Sequence, residues 1–352
     1  MTRDELVASV RDGEIITGAD LSGLDLAGTK LTGGIFDTVS FRDANLAGAD
    51  LSESIFMSAD FTGADLTGAR MHHTVMTKAT MEKARMDRAY LGVAKFEGAN
   101  LCEASFVGAD LSQAAIINSS LAGADFSNAT LDRTSILNTD LSAAVFDGAD
   151  LRQTVLYEAD LASTRLQGAR CHMTIFIKCK LAGQQLNGGS FPLCQFIEAD
   201  LTGASFVDAD LTQSNFKSAI LTDARLDRAQ ANNAIFAEAL AGGVNLAGAQ
   251  LQQAIFIDAK LANADLSGAF LYQAQFPNAH CPGTRFGGAD LTYCDFSHAD
   301  LTRADLREAK MFRTNLHGIL QDGAQWSGAS RELALGDDPE RLRAEHWAGA
   351  KR

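Results

Sequence analysis

Large apolar residues recur along this chain at every fifth position. Leu21, Leu26, Leu31, Phe36, Phe41, Leu46, Leu51, Phe56 and Phe61 belong to one series, which keeps its frame from Ile16 to Trp326. Cys171, Ala231, Ala241, Cys281 and Gln321 are its departures from a large apolar side chain. A second column, two residues earlier, is small: Ala44, Ala49, Ser54, Ala59, Ala64, Ala69, Thr74 and Ala79. A period of five matches neither the 3.6 of a helix nor the 2 of a strand. It matches a squared coil, in which each side turns one large and one small residue inward and leaves three in water.

The residue just before the large one counts the sides. It is usually polar, as at Asp20, Asp25, Asn45, Asp50, Asp60 and Asp65. It is apolar at Ile35, Ile55, Val75, Ala115, Val155, Ile175, Ile235 and Ile255, positions that differ by multiples of twenty. The core residue beside them is usually aromatic, from Phe36 and Phe56 to Phe276 and Phe296. A twenty-residue modulation on a five-residue period means four sides per coil, with residues twenty apart stacked. The repeat then predicts an all-β solenoid of about 16 coils, roughly 75 Å long at the spacing of paired strands.

Blocks such as Ala19-Asp20-Leu21, Ala49-Asp50-Leu51, Ala64-Asp65-Leu66, Ala199-Asp200-Leu201 and Ala299-Asp300-Leu301 carry the motif A(D/N)Lxx. In this the chain resembles the pentapeptide-repeat family, over roughly nine-tenths of its length. The resemblance implies a right-handed quadrilateral β-helix.

A solenoid exposes unpaired backbone and core at its ends, so caps are expected. Thr2-Arg3-Asp4-Glu5 reads as a capping box, and Leu6, Val7 and Val10 form a helical stripe over residues 3–11. Asp337-Asp338-Pro339 starts a second helix near 339–349, with Leu342 and Trp347 available to pack. The organisation expected is an N-terminal cap at 1–13, the repeat at 14–330 and a C-terminal cap segment at 331–352. Family resemblance implies that a C-terminal helix can dimerise the protein; a plain lid is the other reading. Met71, Met76, Met81 and Met86 fill one coil, Gln184 takes a small inward position, and the core thins at Ala231 and Ala241. A local narrowing is expected around 171–196 and 231–244.

The formal charge of −14 argues against direct nucleic-acid binding, which needs a basic face. The charged N-terminus lacks an apolar leader segment, and no apolar run reaches membrane-spanning length. Six cysteines without a CxxC pair suit a reducing, cytoplasmic setting, and the family resemblance implies a bacterial protein. No histidine, cysteine or aspartate group has metal-ligand spacing, and no nucleophile–base set or phosphate loop stands out. Aspartate is so regular that it signals the repeat rather than an active acid. The expectation is a binding protein without catalytic residues, metal or cofactor.

Two binding modes are open. One is docking of a protein, or of a second copy as a homodimer, on an apolar stripe. That stripe comprises Ile35, Ile55, Met57, Val75, Val155, Tyr157, Ile175, Ile177, Ile235, Ile255 and Ile257. Stacked β-branched residues also strengthen strands, which would explain the stripe without a partner. The other mode comes from the resemblance: some family members mimic DNA and protect gyrase or topoisomerase IV. Arg85, Arg165, Arg225 and Arg285 interrupt the acidic line that mimicry requires on one side. Other members accompany secretion systems or act as effectors.

Overall fold

The computed structural model describes residues 1–345. The chain forms two compact units, Met1–Lys180 and Leu181–Arg352.

In the first unit, helix α1 (Arg3–Arg11) starts on a reciprocal cap. Glu5 N–H donates to Thr2 Oγ1, and Thr2 N–H donates to Glu5 Oε2 at 2.8 Å. This satisfies two amides that the helix start would otherwise leave unpaired. Leu6 and Val10 face inward and are buried. Nine three-residue strands follow in one parallel sheet, ordered β1 to β9: Ile15–Thr17, Ile35–Asp37, Ile55–Met57, Val75–Thr77, Lys95–Glu97, Ala115–Ile117, Ser135–Leu137, Val155–Tyr157 and Ile175–Ile177. Each residue pairs with the one twenty positions on, as Ile16 with Phe36 and Phe36 with Phe56. Single parallel bridges with the same offset build the other sides, such as Asp20 with Ser40, Asp25 with Asn45 and Lys30 with Asp50. The structure is therefore a parallel β-solenoid with four bridge ladders in each twenty residues.

The register stacks the core. Phe36 lies over Phe56 and Phe41 over Phe61, each with ring centroids 4.7 Å apart and planes within 5°. That distance is the spacing of paired strands, so the backbone imposes parallel stacking. Neighbouring sides meet edge to face, as Phe36 and Phe41 do at 5.5 Å and 75°; this is the geometry free rings prefer. Where the small column holds a hydroxyl, it donates to a backbone carbonyl: Thr134 to Leu111, Thr154 to Leu131 and Thr174 to Leu151, each at 2.7 Å.

The polar consensus residue shapes the corners. Asp20, Asp60 and Asp110 each accept at Oδ1 from the backbone N–H two residues on, at 2.9–3.0 Å. This local bond holds the turn that follows each core residue. Two residues after the core residue the backbone turns left-handed, at φ 66° for Gly23 and 59° for Val93. Glycine enters this region freely, whereas a β-branched side chain there is strained.

Among the described residues of the second unit the sides are bridge ladders, and none reaches the three-residue strand length. The register is unchanged: Phe196, Phe216, Phe236, Phe256, Phe276 and Phe296 form one stack, with neighbours 4.6–5.0 Å apart. The corners after these six phenylalanines are closed by a hydrogen bond, as from Ala199 N–H to Phe196 O at 3.1 Å. All six closed corners seat alanine inward, from Ala199 to Ala299. On the equivalent face of the first unit the corners after β1 to β8 stay open, whether they seat alanine, as at Ala59, Ala79 and Ala99, or Val39, Ser119 and Thr139; the Cys179 corner closes onto Phe176 O at 3.4 Å.

The unit's C-terminal end leaves the five-residue frame. Gln321 is exposed, Trp326 is covered by the Arg331 guanidinium at 4.3 Å, and a single 3-10 turn (Arg331–Leu333) leads to a rung pairing Asn315 with Leu335. Helix α2 (Pro339–Glu345) closes the described chain. The sequence places this helix at 339–349; residues 346–349, and Trp347 with them, lie outside the described residues, and Leu342 is half-buried. Among the described residues no helix is long and apolar enough to cross a membrane.

Candidate interaction surfaces

The apolar stripe forms on the face of β1–β9. Ile35, Ile55 and Val75 occupy successive rungs, with Met57 beside Ile55. Further on, Val155 pairs with Ile175 and Tyr157 with Ile177. Lys95 and Glu97 of β5, both exposed, separate these two groups. In the second unit Ile235 bridges Ile255, and Ile257 stands on the same side. The stripe is less open than its sequence suggests. Ile55 and Met57 are 37% and 39% exposed, whereas Ile35, Val75, Val155, Tyr157, Ile175, Ile177, Ile235, Ile255 and Ile257 are half-buried. Identical offsets stack each side chain against its neighbours, so the ladder covers much of itself. Lys178 Nζ also sits 5.8 Å from the Tyr157 ring.

The charged sides are mixed and internally paired. In the first unit Asp60 meets Arg42 at 2.9 Å, Asp147 meets Arg165, and Asp150 meets Arg152 at 2.7 Å. Burial pushes the Asp150 carboxyl up, but its bonds from Arg152 and the charge of Arg170 outweigh this and hold it below the usual carboxylate range. In the second unit Asp227 lies between Arg225 and Arg228, and Asp265 meets Arg285. Surface aspartates are thus partly neutralised within their own ladders.

The cysteines pack. Cys171, Cys179, Cys194, Cys281 and Cys294 are buried, and Cys102 is half-buried beside Ser120. Burial pushes the Cys179 thiol up to about 12 and raises those of Cys281 and Cys294 as well. Such thiols are poor nucleophiles and behave as small apolar groups.

Sequence spacing missed one cluster. Among the described residues, donor atoms of His298, His317 and Glu345 lie within 4.8 Å of one another. The two histidines are nineteen apart, so the twenty-residue coil sets them side by side on successive rungs. That offset is the signal a search for local metal motifs overlooks. His317 is 2% exposed, and both its ring nitrogens are used. Asp338 N–H donates to Nδ1 at 3.1 Å, which leaves the ring proton on Nε2, facing Glu345 Oε2 at 3.1 Å. Asp338 also caps α2, accepting from Glu340 and Arg341 N–H at 2.9 and 3.1 Å. His317 therefore ties both ends of α2 to the last rungs. The bond from Arg341, opposed by burial and helped by His317 and His298, brings the Glu345 carboxyl down to about 2.

The twenty-residue register, paired columns and Asx-held corners define a class, the parallel solenoids built from five-residue repeats. A family model described as pentapeptide repeats matches residues 19–92, 94–183, 194–230 and 245–318 in overlapping segments, and the chain belongs to that family. Among solved structures it is similar to HetL, a pentapeptide repeat protein involved in heterocyst differentiation regulation in the cyanobacterium Nostoc. The match has 29% identity over 65% of this chain and 90% of that one, with a TM-score of 0.29. It is also similar to a trypsin-treated form of QnrB1, a plasmid-mediated fluoroquinolone resistance protein, at 26% identity over 45% of this chain and 84% of that one, TM-score 0.29. A pentapeptide repeat protein of the Arabidopsis thaliana thylakoid lumen matches at 25% identity over 38% of this chain and 66% of that one, TM-score 0.14. No curated protein matches in sequence.

Proposed function

We propose that this chain is a non-enzymatic interaction scaffold, a right-handed four-sided helix of about 16 coils that docks a protein partner or a second copy along its apolar face. The twenty-residue register within each unit supports the coil count. The function rests on one observation: an apolar ladder with exposed Ile55 and Met57 stands beside sides whose charges are paired among themselves. Apolar side chains left facing water on a rigid strand ladder favour burial against another surface. The free thiols suit a cytoplasmic setting.

The test is a triple substitution, Ile55→Asp/Ile175→Asp/Ile255→Asp. Light scattering and partner capture with the wild-type chain set the reference. Loss of self-association or capture with an unchanged circular dichroism spectrum is the expected result. Retention of both would remove the stripe as the docking face.

A second reading is protection of DNA gyrase or topoisomerase IV by DNA mimicry. The net charge of −14 favours it. The arginines that pair with Asp147, Asp227 and Asp265 weigh against it, because they break the phosphate-like line. A gyrase supercoiling assay with and without a fluoroquinolone separates the readings: no protection at stoichiometric excess excludes mimicry.

A further inference from the structure

Residues 230–273 carry three uncharged rungs, and aromatic side chains beside them continue to Phe312. The outward positions 230, 232 and 233, with their counterparts one and two coils on, hold seven Asn or Gln residues plus Phe270 and Tyr272, and no charge. They belong to one ladder, in which Gln230 bridges Gln250 and Gln250 bridges Phe270. Aromatic rings then step across the face. Phe270 and Tyr272 lie 6.3 Å apart and nearly parallel, whereas Tyr272 and Tyr293 at 5.7 Å, and Tyr293 and Phe312 at 5.6 Å, meet edge to face. Tyr293 and Phe312 are 41% and 46% exposed. A groove of about 570 Å³ runs along the edge of this platform, lined by Gln253, Gln273, Ala274, Gln275, Tyr293 and Asp295. Its size falls within the range of small-molecule sites.

The geometry points to a carbohydrate-binding face: a neutral glycan packs its sugar rings against the exposed Tyr293 and Phe312, with Tyr272 edge to face beside Tyr293, and bonds its hydroxyls to Gln253, Gln273 and Gln275. The apolar faces of sugar rings suit exposed aromatic rings, which supply large contact area at low entropy cost. Vicinal hydroxyls both donate and accept, and so does a carboxamide. Gln253 Nε2 donates to Gln273 Oε1 at 3.0 Å, which leaves Gln253 Oε1 as acceptor and Gln273 Nε2 as donor. Asp295 is held in place by Asn315 Nδ2 at 2.8 Å and adds a further acceptor. The rungs of Gln230, Gln250 and Phe270 carry no charge, whereas Asp290, Lys310 and Arg313 lie on the two rungs that follow; Asp290 and Asp295 disfavour a nucleic acid, whose phosphates they repel. The ladder fixes the side chains before ligand arrives, which lowers the cost of binding. This inference does not rest on the apolar stripe, whose Ile255 precedes Gln275 on one ladder without lining the groove.

The full-length chain is run in native gels containing hydroxyethyl cellulose, xyloglucan or laminarin, with alginate as the acidic comparison. Retardation by at least one neutral glycan is expected. Tyr272→Ala/Tyr293→Ala should weaken it at least tenfold, and Tyr293→Phe should keep most of it. Melting curves establish that the variants are folded; Tyr293→Ala alone, at an exposed position, is the second variant if the double substitution unfolds. No retardation by any neutral glycan, binding to alginate alone, or retardation unchanged in folded Tyr293→Ala overturns the proposal.

Discussion

At the scale of single residues, the repeat is a set of local backbone demands. The consensus aspartate is there because its carboxylate accepts the N–H two residues on, as Asp60 does from Thr62. Read as chemistry, such a residue suggests an acid; read as a turn, it needs no substrate. The left-handed corner makes another demand, and Val93 meets it poorly at φ 59°. Replacing it with asparagine, which tolerates this region, should raise stability by about 1 kcal/mol, read as a higher melting temperature. Phe216 sits between Phe196 and Phe236 with no exposure. Phe216→Ala should cost about 3–5 kcal/mol, because a ring-sized cavity cannot close between fixed rungs; a denaturant titration measures it.

At the scale of elements, the sequence and structure part company over length and cover. The five-residue period marks every side alike, yet only one face of the first unit extends into strands β1–β9. The difference goes with whether the corner closes its hydrogen bond, and the inward residue does not decide it, since Ala59, Ala79 and Ala99 sit at open corners and Ala199 at a closed one. Helix α2 shows the same limit. Asp338-Pro339 marks its start, but nothing local in sequence indicates that His317 holds both its ends. The linkage has a definite sign. Glu345 titrates near 2, below an ordinary carboxyl, so its bond contributes fully above the ordinary carboxylate range and is lost as pH falls through about 2. Proteolysis within 339–345 should therefore accelerate as pH falls from 5 toward 2, read with an acid-active protease against an unrelated peptide as rate control. His317→Ala should show the accelerated rate already at pH 5.

At the scale of the whole molecule, register is the governing quantity. Deleting residues 241–260 removes one full coil and leaves every following side chain on its own face, with Phe236 then stacking on Phe276. Deleting 241–250 moves the following phenylalanines to another side and severs their stack from Phe196, Phe216 and Phe236. The first variant should keep a cooperative melt and the second should lose it, as circular dichroism against temperature will show. The apolar face belongs to this scale as well. Its residues recur at twenty-residue intervals in sequence, but the cover they give one another appears only when the rungs are stacked. The triple aspartate variant accordingly tests a surface, with no single residue expected to carry the interaction.

The chain's own order determined the solenoid, because a five-residue alternation of large, small and polar groups has one way to bury its apolar columns. It also marked the four sides, through a modulation that repeats each twenty residues. Tertiary structure alone decided which aspartates are neutralised, which isoleucines remain open to water, and that His298, His317 and Glu345 meet. It likewise gathered Gln253, Gln273, Gln275 and Tyr293 around one groove. Those facts depend on neighbours one coil away, a distance of about 5 Å in space that twenty residues separate in sequence.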